Sequence, residues 1–244
     1  DPDRRAGVYY VDPGVPPRPG EVLYDRADSA ASALSPGQFD WGSLLDEHAC
    51  LHTSGITPAL GEAARKAVEE AFGVARDVGA TTSFDINYRS RLWSVDEARA
   101  CYQELLPSVD VLFASAHDLR NLLAAHGEAV EGARELRKRY GIATVVIPDR
   151  IRPAVGRVTV RVVVVTDGVT VGRAVDAQVI DPIGAGDALA GAFLASHLAG
   201  DSPRAAADAA GRAAALKHTI RGDALALSPH ELDVGYGDGK EVLR

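Results

Sequence analysis

Asp181-Pro-Ile-Gly-Ala-Gly-Asp187 joins a run of β-forming residues, GRAVDAQVI, to an alanine-rich stretch with apolar residues at helical spacing. Gly184 and Gly186 put no side chain between the backbone N–H groups of this turn and an approaching ligand. The first amides of a helix have no intrahelical partner and carry the positive end of its dipole, so such a turn attracts an anion. Asp187 stands in the same turn, an electrostatically awkward neighbour for that anion. Its chemical use would be as a general base, taking a proton from an attacking hydroxyl. The amides of Gly184, Ala185 and Gly186 would then hold the charge that develops on a transferred group. The competing reading is an acid that merely complements a helix dipole.

Other candidates surround this turn in the order of the chain. Arg89 follows the strand-like TTSFDIN, Ser115 and Asp118 follow VDVLFAS, and Asp223 follows the last long helical run in TIRGDALAL. In an open parallel sheet ligands gather beyond the carboxyl ends of the strands, which is where these residues fall. Arg26 and Arg89 carry the planar fork that suits a carboxylate or phosphate, although either alone also reads as a surface arginine. Tyr9, Tyr10 and Tyr24 lie in strand-like segments, as flap residues closing on a sugar or as packing. His48 and His52 are four apart, but HACLHTSG reads as a strand and fixes no metal site, so no metal ligand is assigned.

The elements needed to hold these residues alternate. LGEAARKAVEEAFGVARDVG is periodic as a helix, ATTSFDIN is a strand, and SVDEARACYQELLPS opens with Ser94 and Glu97 in capping-box spacing. VDVLFAS is a strand, AHDLRNLLAAHG and EAVEGARELRKRYG are helices, and IATVVIP is a strand. Short buried strands separated by helices imply an α/β fold with a mostly parallel sheet covered on both faces. RVTVRVVVVTDGVTVGR breaks the rhythm and predicts a hairpin around Asp167-Gly168. SPRAAADAAGRAAALKHTI is a further helix, and the opening segment AGVYYVDPGVPPRPGEVLYDRADSAASAL holds two short strands of a β-flap.

A chain of 244 residues fits one large α/β domain or a domain with a small appendage. The net charge of −8 argues against nucleic acid or an anionic membrane as partner, and makes a local arginine pair more telling. No apolar run has the length of a membrane span. Cys50 and Cys101 are isolated, so the expected compartment is the reducing cytoplasm. There is no methionine, and the polar opening DPDRRAGVYYVDP gives the expectation that the natural start lies upstream.

Taken together, these motifs resemble the ribokinase-like (PfkB) family of sugar kinases, whose second signature, D-x-x-G-A-G-D, stands complete at Asp181–Asp187. YDRADSAASAL, LHTSGITPAL, FDINYRSRLW and RGD resemble, in the same order, the 2-keto-3-deoxygluconate kinases of that family. The resemblance implies a three-layer ribokinase-like sandwich with a mostly parallel sheet and a small β-lid. It makes residues 1–34 lid strands with their connection, and 35–244 the kinase domain without its N-terminal segment.

It also implies ATP-dependent phosphorylation of a sugar-acid hydroxyl, most closely 2-keto-3-deoxygluconate, with Mg²⁺ accompanying ATP. Asp187 is then the base, Gly184, Ala185 and Gly186 the anion hole, and Tyr9, Tyr24, Arg26, Arg89 and Asp223 the substrate contacts. Ser115, Asp118, Gly184 and Gly186 face the nucleotide and its metal. A homo-oligomer paired through the lid is implied by the same analogy. Alternatives are a kinase for fructose, ribose or 5-dehydro-2-deoxygluconate, and a catalytically silent sugar-binding homologue. Two departures stand out: Asp118 replaces the family's glutamate in Asn/Ser-x-x-Glu, and VVIPDRIRP lacks the usual Lys/Arg-x-Gly ending. Family members also carry an N-terminal segment with central strands, so the 244 residues alone are expected neither to fold stably nor to turn over.

Overall fold

The segments VYYVD and EVLYD pair as antiparallel strands β1 (Val8–Asp12) and β2 (Glu21–Asp25), with Tyr9 opposite Tyr24, in a computed structural model that describes residues 3–12, 14 and 17–234. A short helix α1 (Trp41–Leu45) follows, then β3 (Cys50–Ser54), α2 (Glu62–Asp77), β4 (Thr81–Asp85), α3 (Val95–Leu105) and β5 (Val111–Phe113). Next come α4 (Ala116–Asn121), α5 (Ala129–Tyr140), β6 (Thr144–Ile151), β7 (Arg157–Val165), β8 (Val169–Val171) and β9 (Val175–Gln178). The described chain finishes with α6 (Ala185–Leu198), α7 (Pro203–Lys217) and α8 (Pro229–Val234).

Two compact units result, one of Asp1–Leu112, Arg120–Ala125 and Leu136–Ala143, the other of Phe113–Leu119, His126–Glu135 and Thr144–Arg244. In the first, β3 and β4 run parallel, with Cys50 opposite Thr81 and Ser54 opposite Asp85. α2 buries Ala64, Ala67, Val68, Ala71, Phe72 and Ala75, positions three and four apart that make one apolar stripe. Ser94 and Glu97 form the capping box that their spacing predicts at the start of α3. Phe84 meets Phe72 and Tyr102 edge to face, at 6.3 and 5.7 Å between ring centres, and Tyr102 in turn meets Trp93 at 5.4 Å. Each fully buried ring stabilises the fold by about 2 kcal/mol. Tyr102 donates its hydroxyl to the Ile86 carbonyl at 3.0 Å, which satisfies its only polar atom. This aromatic stack anchors the end of β4, from which the Asn87–Trp93 loop departs.

In the second unit β7 alternates buried and less buried residues, with Val158, Val160, Val162 and Val164 inward. It pairs antiparallel with β6, β8 and β9, in the segment whose sequence already breaks the parallel rhythm. The hairpin expected at Asp167-Gly168 joins β7 to β8. The alanines of α7 bury Ala206, Ala207, Ala210, Ala213 and Ala214, and their small size lets the helix lie close to β7 and β9.

Two elements differ from the sequence reading. AHDLRNLLAAHG is not one helix: α4 stops at Asn121, Leu122 and Leu123 are buried beyond it, and Ala124 takes a left-handed φ of 49°. A residue in that conformation ends a helical run. The five-residue α1, capped by Asp40 accepting from the Ser43 amide, is too short for its periodicity to register.

Candidate active site

The sequence-predicted residues fall into two groups, one in each unit. In the second unit the turn before α6 takes the form its glycines suggest. Gly184 is the N-cap in the left-handed region, φ 77°, and a β-carbon there would overlap the Asp223 carbonyl. Only glycine satisfies both demands. Asp181 braces the turn from below, one carboxylate oxygen accepting from the Ile183 amide at 3.0 Å and the other from the Gly222 amide at 2.9 Å. The His218 carbonyl accepts from the amides of Ile180 and Asp181, so the end of α7 and the start of α6 are stitched together by backbone. Asp187 lies exposed in the first turn of α6. No hydrogen bond or ion pair among the described residues engages its carboxylate. The structure thus brings Gly184, Ala185, Gly186, Asp187 and the Asp223 backbone together.

Ser115 and Asp118 also lie in this unit, where they hold each other. The Asp118 carboxylate accepts from the Ser115 amide at 2.9 Å and its hydroxyl at 2.6 Å, while Ser115 Oγ accepts from the Asp118 amide at 3.2 Å. This is a cap for α4 made with one carboxylate oxygen. The other oxygen has no hydrogen-bond partner among the described residues. Mg²⁺ keeps several waters and binds through one or two carboxylates together with phosphates, so that single oxygen fits an ion carried by a nucleotide. No cluster of three or more His, Cys, Asp or Glu able to hold a metal occurs among the described residues.

Sequence reasoning passed over three residues near the turn. Lys217 is fully buried, and its ammonium donates to the Ile220 carbonyl at 2.9 Å, which ties down the loop leading to Asp223. His218 is buried beside it, and neither ring nitrogen has a hydrogen-bond partner among the described residues. Burial, and then the positive charges of Arg150, Lys217 and Arg152, hold its pKa down to about 4, against the opposing pull of Asp181. Arg150, near the end of β6, points its guanidinium at the first turn of α6. The available signals were a lysine-histidine pair closing an alanine-rich helix and an Arg-x-Arg after a buried strand.

In the first unit the Arg26 guanidinium lies 4.1 Å above the Tyr24 ring, and Tyr24 in turn lies 6.3 Å from Tyr9 across the hairpin. Arg26 thus lies over Tyr24, whose ring is tilted 47° from that of Tyr9. Arg91, which sequence reasoning passed over, donates to the Val22 carbonyl of β2 at 3.1 Å and ties the Asn87–Trp93 loop to the hairpin. Arg89 is exposed in that loop and donates to the Tyr88 carbonyl at 3.2 Å, while the Tyr88 hydroxyl donates to the Trp93 carbonyl at 3.1 Å. Tyr9, Tyr24, Arg26 and the loop of Arg89 are therefore gathered on one part of this unit. Tyr10 is exposed on the neighbouring face of β1. His52 pairs with Ser83 at 2.9 Å across β3 and β4.

The sequence pattern of the pfkB family carbohydrate kinases matches residues 1–230. The chain belongs to that family. It is 38% identical over 235 residues to the 2-dehydro-3-deoxygalactonokinase of Haloferax volcanii, spanning 96% of this chain and 71% of that protein. The 2-dehydro-3-deoxygluconokinase of Thermoproteus tenax is 37% identical over 239 residues, spanning 96% and 69%. Among solved structures, the 2-dehydro-3-deoxygluconokinase of Thermotoga maritima superposes with a TM-score of 0.88 at 35% identity, over 93% of this chain and 71% of that one. The pfkB chain described here is thus α/β and ribokinase-like. No helix among its described residues is long and apolar enough to cross a membrane.

Proposed function

We propose that the protein is an ATP-dependent kinase that phosphorylates a hydroxyl of a 2-keto-3-deoxy sugar acid, 2-keto-3-deoxygluconate above all. The observation that carries this reading is the turn before α6. Its glycines open the first amides of a helix to an anion, and an uncommitted carboxylate, Asp187, stands beside them. Phosphoryl transfer asks for positioning and charge stabilisation more than covalent chemistry, and this turn offers both. Asp187 takes the proton of the sugar hydroxyl, and the amides of Gly184, Ala185 and Gly186 receive the charge on the transferred phosphoryl oxygens. Mg²⁺, bound through the nucleotide and Asp118, would neutralise phosphate charge.

Sugar contacts are assigned to Tyr9, Tyr24, Arg26, Arg89 and Asp223. Arg26 and Arg89 pair with the substrate carboxylate, and stacking on Tyr24 holds the Arg26 fork in one orientation. The relatives' names support an acid sugar. The retained Asp187 favours an active enzyme over a silent sugar-binding homologue, which has no need of a base. Val8, Tyr10 and Leu23 leave one face of the hairpin apolar and exposed, which supports a homo-oligomer paired through it. We place the enzyme in the cytoplasm, where ATP is abundant.

A coupled ADP-release assay on the full-length protein, across keto-deoxy sugar acids, fructose and ribose, tests the reading. Turnover with the acids and little with the neutral sugars is expected. A preference for a neutral sugar contradicts the acid assignment, and no turnover on any of them contradicts the kinase reading.

A further inference from the structure

Lys217 closes α7 and is fully buried. Its ammonium donates to the Ile220 carbonyl at 2.9 Å, and no carboxylate among the described residues pairs with it. Taking an ammonium out of water without a counter-charge is unfavourable. The C-terminal end of a helix offsets part of this, because it carries the negative end of the dipole. A methionine would fill the same space with no charge to desolvate, so packing alone does not account for a lysine here.

The loop that follows does. The Ile220 amide donates to the Lys217 carbonyl at 3.1 Å, so one residue holds both backbone polar groups of Ile220. Gly222 then takes a left-handed φ of 94°, and its amide donates to a carboxylate oxygen of Asp181 at 2.9 Å. One residue later the Asp223 carbonyl rests against Gly184, the N-cap of α6. At the other end of this loop the His218 carbonyl accepts from the amides of Ile180 and Asp181. The stretch from His218 to Asp223 thus meets the turn before α6 at both of its ends, and the ammonium of Lys217 sets its course between them.

We propose that Lys217 is a positioning residue for phosphoryl transfer: its buried ammonium fixes the His218–Asp223 loop, and through Asp181 and Gly184 the placement of the amides that open α6. The inference rests on the kinase reading and deepens it, by assigning part of the turnover to a fully buried residue. Transfer is sensitive to such placement, since a shift of about 1 Å at a reacting centre costs about a hundredfold in rate.

The test compares full-length wild type with Lys217→Met and Lys217→Ala. Lys217→Met keeps the length of the side chain and removes the charge, so cooperative unfolding at or above the wild-type melting temperature is expected. Its kcat should fall about 10- to 100-fold, while KM for the sugar acid and for ATP stays within a few-fold of wild type. Hydrogen exchange of the Gly222 amide should quicken about tenfold or more, with amides inside α7 unchanged. Lys217→Ala lacks the atoms that n-propylammonium supplies, so this cation should raise its kcat several-fold and sodium at the same concentration should not. A kcat of Lys217→Met within about twofold of wild type overturns the proposal, as does an equal response of Lys217→Ala to the two cations. Loss of cooperative unfolding in both variants would assign Lys217 to the fold alone and overturn it too. The exchange measurement needs no substrate. Unchanged exchange at Gly222 strikes the role of Lys217 whatever the enzyme turns over, whereas a wild type inactive on every sugar acid strikes the kinase reading.

Discussion

The carbonyl of Asp223 packs against Gly184 so closely that no β-carbon fits between them. Through this contact the loop after α7 is fixed to the mouth of α6, and Asp181 reinforces it by accepting from both Ile183 and Gly222. Residues far apart in the chain thus share one small turn, and the geometry of the anion hole depends on both sides of it.

Gly184→Ala is expected to fail at this contact. Alanine in the left-handed region costs about 1–2 kcal/mol, and the added carbon must also push the Asp223 carbonyl away. Melting temperature should drop by several degrees, and turnover should fall roughly 100-fold through misplacement of the amides. Wild-type kinetics in the variant would show that the close packing has no bearing on the site.

Arg26 is the discriminating residue of the hairpin. Replacing it with alanine removes the fork held over Tyr24 without touching a buried core. The KM for a sugar acid should rise about 10- to 100-fold, the value of a charge-assisted contact, while a neutral sugar is affected little. An equal rise for both sugars would remove Arg26 from carboxylate recognition.

His218 gives stability a dependence on pH of definite sign. Folded, burial and its cationic neighbours hold its pKa to about 4, whereas the ordinary value is 6.5. Between these values the unfolded chain carries a proton that the folded chain refuses, so stability falls as pH drops through this window. The loss is complete below about 4. It amounts to about 3 kcal/mol from this one group. Urea unfolding of wild type and His218→Gln at pH 7 and near pH 4.5 measures it: the gap between the pH values should shrink in the variant. An identical gap in both proteins would rule out His218 as its source.

How much the sequence reveals follows from how local each feature is. The turn at Gly184–Asp187, the Ser94–Glu97 cap and the β1–β2 hairpin are specified by residues within a few positions of one another, and all three are legible. The end of α4 is not, because burial of Leu122 and Leu123 overrides a continuous helical pattern. Arg150 and His218 are also hidden. Their place at the site comes from β6 and α7 converging on α6, and no periodicity records that approach. The mutual cap of Ser115 and Asp118 shows a further limit, since a motif read for its ligand chemistry also serves its own helix.

The account depends most on Asp187 acting as the base. Asp187→Asn keeps the shape of the side chain and removes its capacity to accept a proton, so the most direct measurement is phosphorylation of 2-keto-3-deoxygluconate by this variant, alongside its affinity for ATP. The expected result is turnover reduced about a thousandfold or more with ATP binding nearly intact. Turnover within a few-fold of wild type would contradict the account.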